Sequence, residues 1–245
     1  MKVEKIRDLT LIHMDNNKIM VVACDSCGGI GLKSGDTLKV PPFITGKFTA
    51  RVGIMEVICT GAEIVTLANN VCNEMYDTGT EIIKGVKEEL KSSGIDEISL
   101  TGSTEENFPT NSTALGITVI GVADKNTLKI NKIYEPAALV SIGIPKVGNE
   151  IDFIQDKDII DYNTIKYLLS LEKVFEMVPV GSKGILYEAE TLAKFNNKRL
   201  FIRENLKVNI NKSAGPSTCI IAAVNKKSIN ILSQLNNVNF IGDLA

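Results

Sequence analysis

The sequence predicts an α/β protein with two domains of similar size. Short apolar runs alternate with segments of helical periodicity along the chain, which favours sheets covered by helices. The length of 245 residues fits one large domain or two small ones. A polar connection at Asp124–Asn131 divides the chain, so we expect a first domain at residues 1–130 and a second at residues 131–245.

The first half begins with a strand at Lys18–Cys24, which is apolar and of the right length, followed by a glycine-rich turn at Cys27–Gly31. The helix predicted over Thr49–Thr60 is apolar almost all round, which indicates burial. The remaining elements are a strand at Glu63–Val71, a helix from Asp77 to Gly94, and strands at Glu97–Thr101 and Ala114–Ala123 on either side of a polar loop, Gly102–Ser112.

The second half repeats the alternation of strands and helices without any internal repeat. Its predicted elements are the strand Ala137–Ile144, the helix Asn163–Leu171, the strand Val174–Val180, the helix Ser182–Asn196, the strand Thr218–Val224, a short helix near Lys227–Leu235 and the strand Val238–Ile241.

The composition argues against nucleic-acid and membrane binding. The formal net charge is -2, aromatic residues make up 5% of the chain, and Trp is absent. No apolar run approaches the roughly 20 residues of a membrane span, and the N-terminus lacks the apolar core of a secretion signal. Five cysteines without framework spacing indicate reduced thiols, so we expect a cytoplasmic protein.

Several common site motifs are absent or incomplete. The chain has no G-x-x-x-x-G-K-[ST] phosphate loop, and Gly29–Gly31 leads to Pro41-Pro42 rather than to the helix of a dinucleotide site. The single histidine, His13, is most simply a surface residue. Cys24 and Cys27 form one C-x-x-C pair with no second pair at zinc-site spacing, which favours small buried thiols.

The carboxylates are more informative. Asp25 directly follows an apolar strand, so its backbone is fixed where polar residues of α/β proteins commonly form sites. Asp8 precedes a second apolar run, Glu56 lies within the apolar helix, and Glu105 lies in the polar loop. A buried Glu requires a cation or hydrogen-bond donors. Magnesium joins such carboxylates to substrate phosphates. Each of these residues is otherwise a solvated charge.

Five segments carry a resemblance to a known superfamily. Each segment is similar to one motif of that superfamily. Arg7–Ile12 is similar to a G-D-D-A-A-V-like strand, Cys24–Gly29 to T-D-G-V-G, and Met55–Glu63 to S-D-I-A-A-M-G-A. Thr101–Thr104 is similar to G-G-[ED]-T, and Val178–Ile185 to D-V-S-G-G-G-L. In this order they resemble the superfamily of aminoimidazole ribonucleotide synthetase, selenophosphate synthetase, thiamine-monophosphate kinase and the hydrogenase maturation factor that dehydrates a carbamoyl group. Each motif is degenerate, and their order is the stronger signal.

The resemblance implies a two-domain synthetase-like architecture, with a mixed N-terminal sheet covered by helices and a C-terminal α/β domain. It also implies ATP and Mg²⁺ as cofactors and a homodimer formed through the nucleotide-binding first domain. The expected site comprises Asp25 and Glu56 as catalytic residues, Asp8, Asp25, Glu56 and Glu105 as metal ligands, and Gly28, Gly29, Gly31, Lys33, Lys47, Gly102 and Thr104 around the nucleotide. The acceptor is expected in the second domain, near Ser213–Thr218.

Two departures from the motifs narrow the prediction. Glu56 replaces an aspartate, and Ser103 replaces the acidic residue of the G-G-[ED]-T loop unless Glu105 or Glu106 takes its place. The chain resembles a shorter branch that includes α-ribazole kinase, which implies phosphorylation of the ribose 5′-hydroxyl of a benzimidazole nucleoside. The alternatives are a ligase that acts through an acyl- or imidoyl-phosphate, and a catalytically silent nucleotide-binding dimer, which Ser103 favours.

Overall fold

The computed structural model describes residues 1–15 and 17–245. The chain divides into two compact units, the first comprising Met1–Val57 and Ala62–Lys125, the second Ile58–Gly61 and Asn126–Ala245. Each unit combines one large sheet with helices, which confirms the predicted α/β class. No helix of the described residues is long and apolar enough to cross a membrane.

The first unit is built on a six-stranded sheet in the order β1-β2-β3-β8-β6-β7, in which only β6 and β7 are parallel. Its strands are β1 (Lys2–Ile6), β2 (Leu9–His13), β3 (Lys18–Gly28), β6 (Glu63–Val71), β7 (Ser99–Ser103) and β8 (Ala114–Asp124), and a separate short pair is formed by β4 (Ile30–Gly31) and β5 (Leu38–Lys39).

One face of this sheet is buried. In β3 the side chains of Ile19, Val21 and Ala23 are buried, whereas their neighbours in sequence point to the other face. The buried set of β8 includes Ile117 and Val119, and the alternation is regular along the whole strand. This face therefore carries the core of the first unit.

Two helices cover that face: α1 (Pro42–Ile58) and α2 (Thr80–Ser92), the latter preceded by a π-helical segment at Met75–Gly79. Helix α1 begins seven residues before the predicted start because proline at a first helical position has its φ preset for the helix. The helices cross so closely that a Cβ on Gly46 or Gly85 would overlap a carbonyl oxygen of the other helix.

The second unit contains a five-stranded antiparallel sheet in the order β10-β12-β9-β13-β11. Its elements are β9 (Ala137–Ile142), α3 (Tyr162–Ser170), β10 (Val174–Pro179), α4 (Gly184–Phe195), β11 (Leu200–Ile202), β12 (Ile220–Asn225) and β13 (Val238–Leu244), with 3-10 turns at Gly148–Glu150 and Lys226–Leu232. Helix α4 packs Ile185, Ala189 and Leu192 into the core of this unit.

Besides the earlier start of α1, the structure differs from the sequence prediction in other elements. Strand β3 continues past Cys24 to Gly28 because β8 pairs with every one of these residues, so Asp25 lies within the strand and not after it. The short helix predicted near Lys227–Leu235 is a 3-10 helix. The edge strands β1 and β11 were not predicted, since an edge strand is held by backbone bonds to one neighbour and needs no apolar pattern.

Candidate functional site

Asp25 is the centre of the candidate site. It pairs with Ile117 of β8 and continues the buried face of β3, where its side chain is only partly exposed. No cation lies within ion-pair distance of it among the described residues. Burial raises the pKa of Asp25 to about 6, and a hydrogen bond from the Ser26 backbone offsets this only in part. A desolvated carboxylate without a counter-ion is typical of a binding site.

Asp25 belongs to a row of paired residues that crosses four strands. Asp25 pairs with Ile117, Ile117 with Asn69, and Asn69 with Gly102. Adjacent strands lie about 4.8 Å apart, so Gly102 is about 14 Å from Asp25. The predicted nucleotide-site residue Gly102 is therefore at the same level of the sheet as Asp25, and Thr104 lies two residues beyond it, past the end of β7; both are too far from Asp25 to share one metal ion with it.

Asn69 is a residue that the sequence prediction missed. It is 6% exposed, lies on the same face as Asp25, and its side chain has no hydrogen-bond partner among the described residues. A buried amide normally finds a partner in the protein, so this one is available to a ligand. The signal was present in the sequence, because Asn69 occupies an inward position between Leu67 and Val71 in an alternating strand.

Asp8 lies just before the start of β2, the strand next to β3. It is the exposed turn residue between β1 and β2, and Leu9 immediately after it pairs with Ala23. This register places Asp8 at the level of Cys24, one residue before Asp25 on the neighbouring strand. Asp8 and Asp25 thus lie near the same end of neighbouring strands.

Helix α1 carries the predicted site residues Lys47 and Glu56, and its Thr49 contacts β3 near Asp25. The hydroxyl of Thr49 donates a hydrogen bond to Sγ of Cys27 at 3.1 Å, which places this part of the helix beside the β3 segment that contains Asp25. Lys47 lies two residues before Thr49, is half-buried, and has no ion-pair partner among the described residues. Glu56 is seven residues beyond Thr49, about 10 Å further along the helix.

The predicted glycines have different roles. A Cβ on Gly28 would meet nothing within 4 Å, so packing does not require glycine there and a ligand has room to approach. Gly29 has a φ of +73° and donates its N–H to the Thr113 carbonyl at 2.9 Å. A side chain at Gly31 would overlap Thr113, and one at Gly102 would overlap the Asn69 carbonyl, so both are packing positions.

Lys33 is held in an ion pair. Its ammonium donates to the Glu74 carboxylate at 2.9 Å and to the Thr110 carbonyl at 3.1 Å. Burial by itself would raise the pKa of Glu74, but hydrogen bonds from Thr78 and Lys33 outweigh it and bring the value to about 2. Two of the three Lys33 donors are thus occupied, and one is left for another acceptor.

Asp36 is the second anchor of this region. Its carboxylate accepts hydrogen bonds from the N–H of Lys33 and from both the N–H and the hydroxyl of Thr113. Burial raises its pKa, but these bonds lower it further than burial raises it. Asp36 and Glu74 together tie the β4–β5 segment to the two polar loops beside it. Neither was predicted, because their partners are distant in sequence and no local pattern marks them.

Glu105, a predicted metal ligand, lies in the second of these polar loops. Its carboxylate accepts hydrogen bonds from the N–H groups of Asn107 and Phe108, at 2.7 and 3.2 Å. Among the described residues, no three His, Cys, Asp or Glu side chains lie close enough together to hold a metal ion by themselves. The predicted ligands therefore do not form a closed cage.

Magnesium does not require such a cage, because it binds to one or two carboxylates and completes its shell with waters and phosphates. Asp25, a partly desolvated carboxylate with no cation at ion-pair distance among the described residues, fits that mode of binding. The remaining ligands would come from a nucleotide and from water.

In the second unit, two segments singled out by the sequence lie against each other. The N–H of Ala214 donates to the carbonyl of Gly181 at 3.1 Å, and the N–H of Thr218 donates to the carbonyl of Ala214 at 2.9 Å. The Ser213–Thr218 loop therefore packs on the turn that starts α4, which belongs to the motif Val178–Ile185.

The fold of this chain is similar to that of several solved structures. No protein-family model matches the sequence, and no curated protein is detectably similar to it. Solved structures do match. Thiamine-monophosphate kinase from Aquifex aeolicus aligns with a TM-score of 0.68 at 12% identity, over 98% of this chain and 89% of that one. AaThiL complexed with AMPPCP and TMP aligns with a TM-score of 0.65 at 11% identity, over 97% and 84%.

PurL from T. maritima, complexed with AMPPCP, aligns with a TM-score of 0.64 at 12% identity. The alignment covers 97% of this chain but only 37% of PurL, so this chain spans just over a third of that protein. These similarities show that this chain shares its fold with thiamine-monophosphate kinase and PurL, two kinds of protein on which the predicted resemblance draws. The α-ribazole kinase branch stays a prediction.

Proposed function

We propose that this protein is an ATP- and Mg²⁺-dependent phosphotransferase whose nucleotide site surrounds Asp25. The observation that carries the proposal is the partly buried Asp25 carboxylate, which has a raised pKa and no counter-ion among the described residues. Two solved structures of the same fold are complexed with AMPPCP, an ATP analogue, which supports a nucleotide as the ligand.

Phosphoryl transfer depends on charge neutralisation and alignment more than on covalent chemistry by the protein. Magnesium, when bound, would neutralise the charge on the phosphates. Asp25 and Asp8 would hold the ion, and the amide of Asn69 would donate to a ligand on the same face. Gly28 would let the backbone approach a phosphate, and the Lys47 ammonium would offset its charge.

The acceptor proposed is the ribose 5′-hydroxyl of α-ribazole. This assignment rests on the resemblance to the shorter, divergent branch of the superfamily and on Ser103 in place of the usual acidic residue. We assign acceptor binding to the second unit, with Val178–Ile185 and Ser213–Thr218 as the segments involved, because they pack on each other. Glu56 remains the proposed second catalytic carboxylate.

We further propose a homodimer formed through the first unit. The sheet face opposite the helices leaves Val22, Ile120 and Val122 partly exposed, and a second copy would cover them. Sedimentation velocity over a range of concentrations tests this, and a monomer at every concentration would contradict it. All five cysteines are free thiols, which is in keeping with the cytoplasm as the compartment.

Calorimetric titration with ATP, with and without Mg²⁺, tests the site. We expect Mg²⁺-dependent binding that Asp25→Asn weakens at least tenfold, because one ligand to the ion loses its charge. The exposed Asp96 provides the matched control, and Asp96→Asn should bind like the wild type. Binding that needs no magnesium, or that is the same in both variants, would show that Asp25 is not the metal site.

A coupled assay for ADP with α-ribazole tests the reaction. A kinase leaves the phosphate on its acceptor, whereas a ligase releases it, so analysis of the products separates these two alternatives. Binding of ATP without turnover of any acceptor would indicate the silent nucleotide-binding dimer, in which case the site proposal stands and the kinase proposal fails.

A further inference from the structure

Two large aromatic side chains are exposed on adjoining loops of the first unit. Tyr76 is 81% exposed and Phe108 is 74% exposed. The chain contains only 13 aromatic residues in all, 8 Phe and 5 Tyr, and no Trp. Side chains of this size normally bury most of their surface, so two together in solvent indicate a binding surface.

The loops that carry them are joined directly. The N–H of Glu105 donates to the Asn73 carbonyl at 3.0 Å, and the N–H of Met75 donates to the Glu106 carboxylate at 2.9 Å. The carboxylate of Glu105 fixes the turn that leads into Phe108 through the N–H of that residue. Tyr76 and Phe108 therefore extend from two chain segments that lie side by side.

These loops are held together by two polar groups, the buried Asn73 and the partly exposed Glu74. Glu74, two residues before Tyr76, accepts hydrogen bonds from Lys33 and from the hydroxyl of Thr110, two residues after Phe108. The Asn73 amide also donates to the hydroxyl of Thr110 at 2.7 Å. Because the backbone beneath both rings is fixed before a ligand arrives, binding costs little ordering entropy there.

The same network continues to the candidate nucleotide site. The side-chain amide oxygen of Asn73 accepts a hydrogen bond from the N–H of Ala114, the first residue of β8. The backbone carbonyl of Thr113 accepts one from the N–H of Gly29, which is next to the open position at Gly28. One connected set of hydrogen bonds thus links the loops with the aromatic side chains to the end of the strand that carries Asp25.

We propose that Tyr76 and Phe108 bind the flat heteroaromatic base of a nucleoside by stacking. This inference rests on the proposed function, since it adds a base-binding surface to the phosphate site at Asp25. Aromatic faces stack on any base, which suits a surface that offers rings rather than a patterned set of donors and acceptors. The base belongs either to ATP or to the nucleoside acceptor, and both sources present the same chemistry.

The experiment measures equilibrium binding of three probes to the full chain: Mg²⁺–ATP, Mg²⁺–tripolyphosphate, which lacks a base, and α-ribazole. The variants are Tyr76→Ser and Phe108→Ser. The control is Tyr134→Ser in the second unit, because Tyr134 is 78% exposed and so matches Tyr76. All three substitutions remove an exposed ring and should leave the circular dichroism spectrum unchanged.

If the base is that of ATP, both serine variants should bind ATP about tenfold more weakly, the scale of one lost stacking contact, and bind tripolyphosphate like the wild type. If the base is that of the acceptor, the same loss should appear with α-ribazole only. The Tyr134→Ser control should bind all probes normally.

Undiminished binding of both base-containing probes by the two variants would overturn the proposal. So would an equal loss with tripolyphosphate, or a change of oligomeric state in the variants, which would make the ring pair a contact between subunits. A failure of the proposed function looks different: the wild type would then bind neither ATP nor tripolyphosphate. If it bound no α-ribazole either, the base-binding proposal would fail with it.

Discussion

Replacing Asp25 with Asn should make the ligand-free protein more stable at neutral pH. The pKa of Asp25 is about 6 in the folded protein, against an ordinary value of 3.8. When folding raises the pKa of a group, the group stabilises the folded protein. This stabilisation is complete at pH values below the pKa of the group in the unfolded chain, and it is lost as the pH rises through the pKa of the group in the folded protein. Above about pH 6 the folded protein therefore holds an ionised carboxylate in a partly desolvated position.

The magnitude follows from the shift. One pKa unit corresponds to about 1.4 kcal/mol, so a shift of about 2 units amounts to about 3 kcal/mol over the whole range. Of this, about 1.4 kcal/mol falls between pH 5.0 and pH 7.5. Solvent reaches part of the Asp25 side chain and screens it, which makes these figures upper limits.

Urea denaturation of the wild type and of Asp25→Asn at both pH values provides the assay. We expect the variant to gain about 1 kcal/mol relative to the wild type between pH 5.0 and pH 7.5. Excess Mg²⁺–ATP should reduce the advantage of the variant at pH 7.5 by about 1.4 kcal/mol or more, because the wild type binds the ligand at least tenfold more tightly and gains correspondingly more stability. A stability difference that is the same at both pH values would refute the reasoning, as would a variant that is less stable at pH 7.5.

Three further substitutions test the first unit. Lys33→Met should lower the free energy of unfolding by about 1 kcal/mol in urea denaturation, because it removes the cation from the partly exposed Glu74 carboxylate; an unchanged midpoint would contradict this. Gly85→Ala should lower the thermal midpoint by several degrees, because its Cβ would overlap a backbone carbonyl of α1. The exposed Gly94 does not serve as a control, because its φ of +81° makes alanine unfavourable there as well. Gly28→Ala should leave stability within about 0.5 kcal/mol of the wild type but weaken ATP binding, because only a ligand occupies the open space there; Gly31→Ala, which overlaps Thr113, is the contrasting variant and should lose stability.

Apolar periodicity was enough to predict most of the fold. Strand Glu63–Val71 has the predicted bounds, because its alternation matches a sheet with one buried face. Helix α1 was predicted too short, since its first two turns contain Thr45 and Gly46, which pack closely without being strongly apolar. Small residues that allow two helices to approach closely are not strongly apolar, so they add nothing to the periodic pattern of apolar residues.

Part of the candidate site could likewise be predicted from the sequence, and part could not. Asp25 was predicted as a site residue because it follows an apolar run, and in the structure its carboxylate is partly desolvated, which raises its pKa to about 6. The network of Asp36 and Glu74 was not predicted, because Asp36 meets Thr113 across 77 residues of sequence and Glu74 meets Lys33 across 41. Contacts of that separation exist only once the sheet has brought the loops together.

The pairing of β3 with β8 has a consequence for how the site comes into existence. Asp25 faces Ile117, which is 92 residues later in the chain, and the ladder continues to Asp124. Closing so long a loop is slow, because its entropy cost comes before the contacts between the two strands can stabilise the chain. During synthesis Asp25 therefore emerges 92 residues before its partner Ile117, and it acquires its fixed environment only when β8 pairs with β3. A chain that stops before β8 lacks the partner strand that holds this carboxylate in place.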